Sequence, residues 1–153
     1  MVPWRHMVVA PRVAVTMSAK VHHVVFCVRA ENQERAADLW RDVGMTFQEV
    51  PLADEGIRVL LDWSAGVEIV APAEPEGTET ARFRAFLDER GEGVYSVVVR
   101  TEEIDGPIKA IAPYGASVRY RQHRETGDIV VDEADLTPVL GMSITLLATN
   151  LGD

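Results

Sequence analysis

Residues 21–28 read V-H-H-V-V-F-C-V, and residues 94–100 read V-Y-S-V-V-V-R. Both are short, rich in β-branched residues and free of Gly and Pro, the composition of a buried strand. Outward from each, the same succession of elements follows. After the first, residues 32–43 place Ala36, Ala37, Leu39, Trp40 and Val43 at helical spacing, and Gly44 is the stop. Strands are then expected at 45–50, 57–63 and 67–70, separated by Gly56 and by Ser64-Ala65-Gly66. After the second, residues 102–112 predict a helix with Ile104, Ile108 and Ile111 inward, closed by Pro113-Tyr114-Gly115. Strands are again expected at 116–124, from 129 to 131, and at 142–147. Residues 71–80 carry two prolines and three glutamates and read as a linker, and residues 81–90 as a short helix with Phe83, Phe86 and Leu87 on one face.

The chain therefore reads as α+β, with two tandem βαβββ modules. The duplication shows in the order of elements rather than in residue identity. The expected units are a leader over 1–20, a first module over 21–71, a linker and short helix over 72–93, and a second module over 94–153. The leader reads either as vector sequence ending at His6-Met7 or as the stretch before a natural start at Met17. Its residues 7–17 are β-rich and could pair with a sheet edge. A single four-stranded module leaves an apolar face open. Two of them, side by side or exchanged between chains, would form curved mixed sheets around a shared cleft, where a small-molecule site is expected.

Composition narrows the function. The 153 residues carry 24 acidic and 15 basic side chains, a net charge of -9. The longest basic cluster, Arg119, Arg121, His123 and Arg124, is interrupted by uncharged residues, so nucleic acid and anionic membrane are excluded as partners. No apolar run approaches the roughly 20 residues of a membrane span. Cys27 is the one cysteine, which leaves no intramolecular disulfide and makes the cytoplasm the expected compartment. No phosphate loop, dinucleotide fingerprint, zinc-protease helix or nucleophile elbow is present.

Three places carry a family resemblance. His23 stands on the first strand, Glu68 lies in G-V-E-I-V at 66–70, and F-L-D-E-R-G-E-G-V at 86–94 opens the second module. In these the chain resembles the vicinal oxygen chelate superfamily, which includes glyoxalase I, methylmalonyl-CoA epimerase and bleomycin-binding proteins. The resemblance covers residues 21 to about 148 and implies a divalent metal (Ni, Co, Mn, Zn or Fe) held by four side chains. His23 and Glu68 match the first two ligand positions. Where the family has its third and fourth ligands, this chain has Ser96, in Tyr95-Ser96, and Thr145, in S-I-T-L. A slip of one residue would present Tyr95 or Ile144 instead. A hydroxyl is a poor substitute for imidazole or carboxylate. The expectation is a small-molecule-binding protein, a homodimer, that uses no cofactor. The alternative is a lyase or isomerase in which His23 and Glu68 abstract a proton or hold a metal between them.

The remaining candidates follow from strand alternation and residue type. Cys27 shares a face with His23 but, with no positive charge nearby to stabilise a thiolate, reads first as a small buried hydrophobe. Trp63, at a strand end, suits an aromatic wall. Ser96 and Arg100 share one face of the fifth strand, and Thr145 lies on the last; together they are expected to line the cleft opposite His23 and Glu68, or Arg100 to reach solvent. His22 is expected to face away from His23. His123 is expected at a solvated edge, or as a ligand from an unusual position.

Overall fold

The computed structural model describes residues 18–152. The element order repeats as the sequence implies. The first module is β1 (Ala19–Cys27), α1 (Gln33–Asp42), β2 (Gln48–Val50), β3 (Ile57–Asp62) and β4 (Val67–Pro72). Helix α2 (Thr80–Arg90) links it to β5 (Gly93–Thr101), α3 (Asp105–Ile111), β6 (Val118–Thr126), β7 (Ile129–Leu136) and β8 (Ile144–Thr149). The eight strands form one curled mixed sheet in the order β2-β3-β4-β1-β5-β8-β7-β6. The modules lie side by side within the chain, joined by the antiparallel β1–β5 pair. Among the described residues no helix is long and apolar enough to cross a membrane.

Alternation along the strands sorts side chains to two faces. The outer face carries Leu60, Val67 and Ile69 under α1, and Ala134, Leu136 and Leu146 under Ile104 and Ile108 of the second module. The inner face carries Val25, Cys27, Val59, Val70, Val98 and Leu147, and α2 lies on it through Phe83 and Leu87. The linker helix therefore occupies part of the concavity between the modules.

Several boundaries differ from the sequence expectation. Strand β1 begins at Ala19, inside the stretch set aside as a leader, and residues 1–17 lie outside the described residues. The expected edge pairing of residues 7–17 falls there. Strand β4 runs through Pro72, and β7 continues to Leu136. The acidic residues of β7 hid its length, because Asp132, Glu133 and Asp135 interrupt the apolar pattern. Leu39 on α1 and Val43 just past its end are exposed. The buried stripe runs through Gln33, Ala36, Ala37 and Trp40, at intervals of three and four. Gln33 is accommodated because its amide donates to the carbonyls of Arg58 and Ile69 at 2.8 and 3.0 Å.

Candidate functional site

The two modules build their inner faces from equivalent registers. In the parallel β1–β4 pair Val24 is opposite Val67, and in the parallel β5–β8 pair Val97 is opposite Ile144. His23 is thus the counterpart of Ser96, and Glu68 of Thr145. Each pair also meets. His23 Nε2 lies 3.2 Å from Glu68 Oε2, and Ser96 Oγ lies 2.8 Å from Thr145 Oγ1. Gly66, with φ +76°, lets the β3–β4 turn close on β1, since a Cβ there would sit 2.8 Å from the His22 carbonyl.

The Ser96–Thr145 pair is sealed inside the protein, with Ser96 fully buried and Thr145 nearly so. Thr145 Oγ1 also donates to Asp135 Oδ1 at 3.3 Å. With its one proton given to Asp135, Thr145 accepts from the Ser96 hydroxyl. Asp135 is buried too, and it collects Tyr95 Oη at 2.7 Å, Arg119 Nε at 2.9 Å and Arg82 Nη1 at 3.2 Å. Burial and the neighbouring carboxylate raise the Tyr95 phenol well above its usual range. This network satisfies the hydroxyls internally, and neither lines the cavity described next.

That cavity, of about 200 Å³, opens between the modules. Its apolar wall comes from β3 (Ile57, Val59, Leu61) with Trp63, Val131 and Leu147. His23 and Glu68 supply polar groups from the first module. The second supplies Gln122 and Arg124 from β6 and Glu133 from β7. Gln122 Nε2 donates to Glu133 Oε2, and Gln122 Oε1 accepts from Arg124 Nη2 at 2.9 Å. Arg124 pairs with Glu55, which precedes β3. Burial, then the Glu68 carboxylate, raise Glu133 above the usual carboxylate range, against the opposing effects of Gln122, His23 and Arg124.

Of the expected site residues, His23, Glu68 and Trp63 line this cavity. Trp63 is held by its Nε1–H, which donates to the Gly152 carbonyl at 3.0 Å. The others are elsewhere. Cys27 does share the face of His23, but α2 lies over it, its Sγ directed at the Phe83 carbonyl at 3.9 Å. Its thiol is pushed up to about 12, chiefly by burial. Arg100, at the end of its strand, donates to the carbonyls of Thr149 and Leu151. The expectation that Ser96, Arg100 and Thr145 line the cleft opposite His23 is therefore corrected. On the last strand the slipped register is excluded as well, since Ile144 packs on the outer face.

Three bulges explain most of what alternation misread. On β1, Val21 pairs with Val99 and His23 with Val98, so His22 is an extra residue. It does not face away: His22 Nδ1 lies 2.7 Å from His23 Nδ1, and its ring packs on Trp63 at 4.2 Å between centroids. On β5, Val25 pairs with Ser96 and Phe26 with Val94, so Tyr95 is the extra residue and turns inward with Ser96. On β6 the shift between Val118 and Tyr120 frees Arg119 to reach Asp135. Beyond it, Gln122 and Arg124 face the cavity, while His123 lies exposed beside Glu125 at 3.1 Å. Glu133, Gln122, Arg124 and Glu55 were missed. The only sequence signal for Glu133 was its alternation with Val131 and Asp135.

The metal set that the resemblance implies does not fit the second module. The two hydroxyls at its ligand positions are engaged with each other and with Asp135. Among the described residues no group of three or more His, Cys, Asp or Glu side chains is arranged to hold a metal ion.

The sequence matches no protein-family model and no curated protein. The fold does match solved structures. Methylmalonyl-CoA epimerase from Mycobacterium tuberculosis superposes with a TM-score of 0.60 at 23% identity, over 84% of this chain and 86% of that one. A single-residue variant of the Streptomyces coelicolor epimerase, in complex with 2-nitronate-propionyl-CoA, gives 0.62 at 17% identity, over 86% and 98%. A hypothetical protein from Bacillus halodurans C-125 gives 0.66 at 14% identity, over 89% and 98%. The chain has the paired βαβββ fold of the methylmalonyl-CoA epimerases and of the vicinal oxygen chelate superfamily to which they belong.

Proposed function

We propose that this protein binds a small organic molecule in the cavity between its modules, and does so without the divalent metal of the chelating enzymes. The observation that carries the reading is the Ser96–Thr145 hydrogen bond at 2.8 Å, at the two positions where a second half of the metal set would stand. The first half survives as the His23–Glu68 pair at 3.2 Å, facing a cavity with an aliphatic and aromatic wall. Such a site offers apolar area for affinity and a few polar groups for orientation. Sequestration, as by bleomycin-binding proteins, is the activity it suits. A thermal-shift screen of small aromatic and aliphatic compounds tests it, with Leu61→Trp to fill the cavity. A compound present at about 100 times its Kd should stabilise the protein by about 2.7 kcal/mol, and Leu61→Trp should erase the shift. Shifts that survive in the filled variant, or none from any compound, would contradict the reading.

A second reading rests on Glu68. A carboxylate in a largely apolar cavity, hydrogen-bonded to His23, can remove a proton beside a carbonyl, which is lyase or isomerase chemistry. Arg124 or the Glu133 carboxyl would then have to stabilise the developing oxyanion. Glu68→Gln would abolish proton exchange on a bound carbonyl compound while leaving its binding intact.

A further inference from the structure

The charges in the cavity do not balance, and the imbalance indicates what occupies it. Arg82 and Arg124 are the guanidinium groups of its wall, and Glu55, Glu68 and Glu133 its carboxyl groups. Arg124 is engaged by Glu55. Arg82, on α2, is turned to Glu79 and Asp135, both buried outside the cavity. Glu68 has only the His23 imidazole, at 3.2 Å. Among the described residues Glu133 makes no ion pair, and its hydrogen bond comes from the uncharged Gln122 amide. Two carboxyl groups from opposite modules thus face one small, mostly apolar space with no Arg or Lys of their own.

We infer that the ligand of this cavity is a small organic cation, an ammonium nitrogen on an apolar or aromatic body, its charge paired with Glu68 and Glu133. The inference rests on the cavity-binding reading and names the ligand class. A cation removes both causes that hold the proton on Glu133, because it replaces lost solvation and screens Glu68. Trp63, in the same wall, offers an aromatic surface to the cation or to its ring. The volume of about 200 Å³ suits a substituted benzene; a cavity of about 150 Å³ is known to hold benzene itself.

Proton bookkeeping follows. In the free protein the Glu133 carboxyl retains its proton above the usual carboxylate range. Pairing with an ammonium requires the carboxylate, so binding expels that proton to the buffer. Affinity therefore rises with pH through the range in which free Glu133 ionises. The groups facing Glu133 are His23 from β1, Glu68 from β4, Gln122 and Arg124 from β6, Glu55 before β3, and Arg82 from α2.

The test is calorimetric titration with benzylamine, benzyl alcohol and benzoate across about pH 5 to 8, each in two buffers of different ionisation enthalpy. Benzylamine should bind roughly tenfold or more tightly than the isosteric alcohol, and benzoate should bind least. Benzylamine should release a fraction of a proton that disappears in Glu133→Gln, and Glu68→Gln should weaken it selectively. Circular dichroism and alcohol binding confirm that each variant is folded. If the alcohol binds as well as the amine, or proton release is unchanged in Glu133→Gln, the inference is wrong and the cavity reading stands. If none of the three binds, both fail.

Discussion

At the residue scale, one substitution pattern separates the halves of the molecule. Where the first module has imidazole and carboxylate, the second has two hydroxyls, Ser96 donating a hydrogen bond to Thr145 and Thr145 donating one to Asp135. Removing one member leaves a buried polar group short of a partner, so Ser96→Ala should cost about 1–2 kcal/mol by denaturant titration. With Thr145→Val added, the loss should fall short of the sum of the single changes, because the pair is removed together. Strict additivity would show that the hydroxyls do not interact. Cys27 makes a second prediction. Its thiol, pushed up to about 12 by burial under α2, is neutral and inaccessible, so a disulfide reagent at pH 8 should react only on unfolding. The folded thiol holds its proton more tightly than the unfolded one. Its contribution to stability is therefore intact below about 9 and is lost as pH rises from there toward about 12. Rapid native-state labelling would place the thiol in solvent instead.

At the scale of elements, the site depends on how tightly turns and helix α2 close on the sheet. Gly77, before α2, packs on the turn around Glu55 and Gly56; a Cβ on Gly77 would fall 2.2 Å from the Glu55 carbonyl carbon. Thr80 ties the same place together, accepting from Gly77 N–H at 2.8 Å and donating to the Gly56 carbonyl at 2.9 Å. Gly77→Ala should therefore cost about 2 kcal/mol or more, lowering Tm by about 4–8 °C. It should also loosen Glu55, and with it the ion pair that holds Arg124. An unchanged Tm would mean that the contact is not made. Much at this scale was legible in the sequence. Element order, the helical stripe through Ala36 and Trp40, and the Gly44 and Gly66 breaks are local properties of the chain. The bulges at His22, Tyr95 and Arg119 were not legible, because each is set by the register of a partner strand distant in sequence. The cavity-facing role of Glu133 was concealed for a related reason: an acidic residue on a strand reads as solvent-facing until the opposite module is in place.

At the scale of the whole molecule, two half-sites of different chemistry share one continuous sheet. The β1–β5 pairing brings the halves together, while α2 and the Asp135 network fill the concavity on one side and leave the His23–Glu68 side open. The resemblance located His23 and Glu68 correctly on strands β1 and β4, facing the cavity. It could not show that the second half is closed by hydrogen bonds, since those depend on Asp135, Arg82 and Arg119, which lie outside its motifs. A cavity that works without a metal leaves the protein indifferent to divalent ions. The most direct measurement is metal stoichiometry and metal-dependent thermal stabilisation. Chelator-stripped protein would be titrated with Ni, Co, Mn, Zn and Fe(II), alongside His23→Ala and Glu68→Ala. The wild-type protein should show no stoichiometric uptake and no rise in Tm. One metal per chain that stabilises the wild type and neither variant would contradict it.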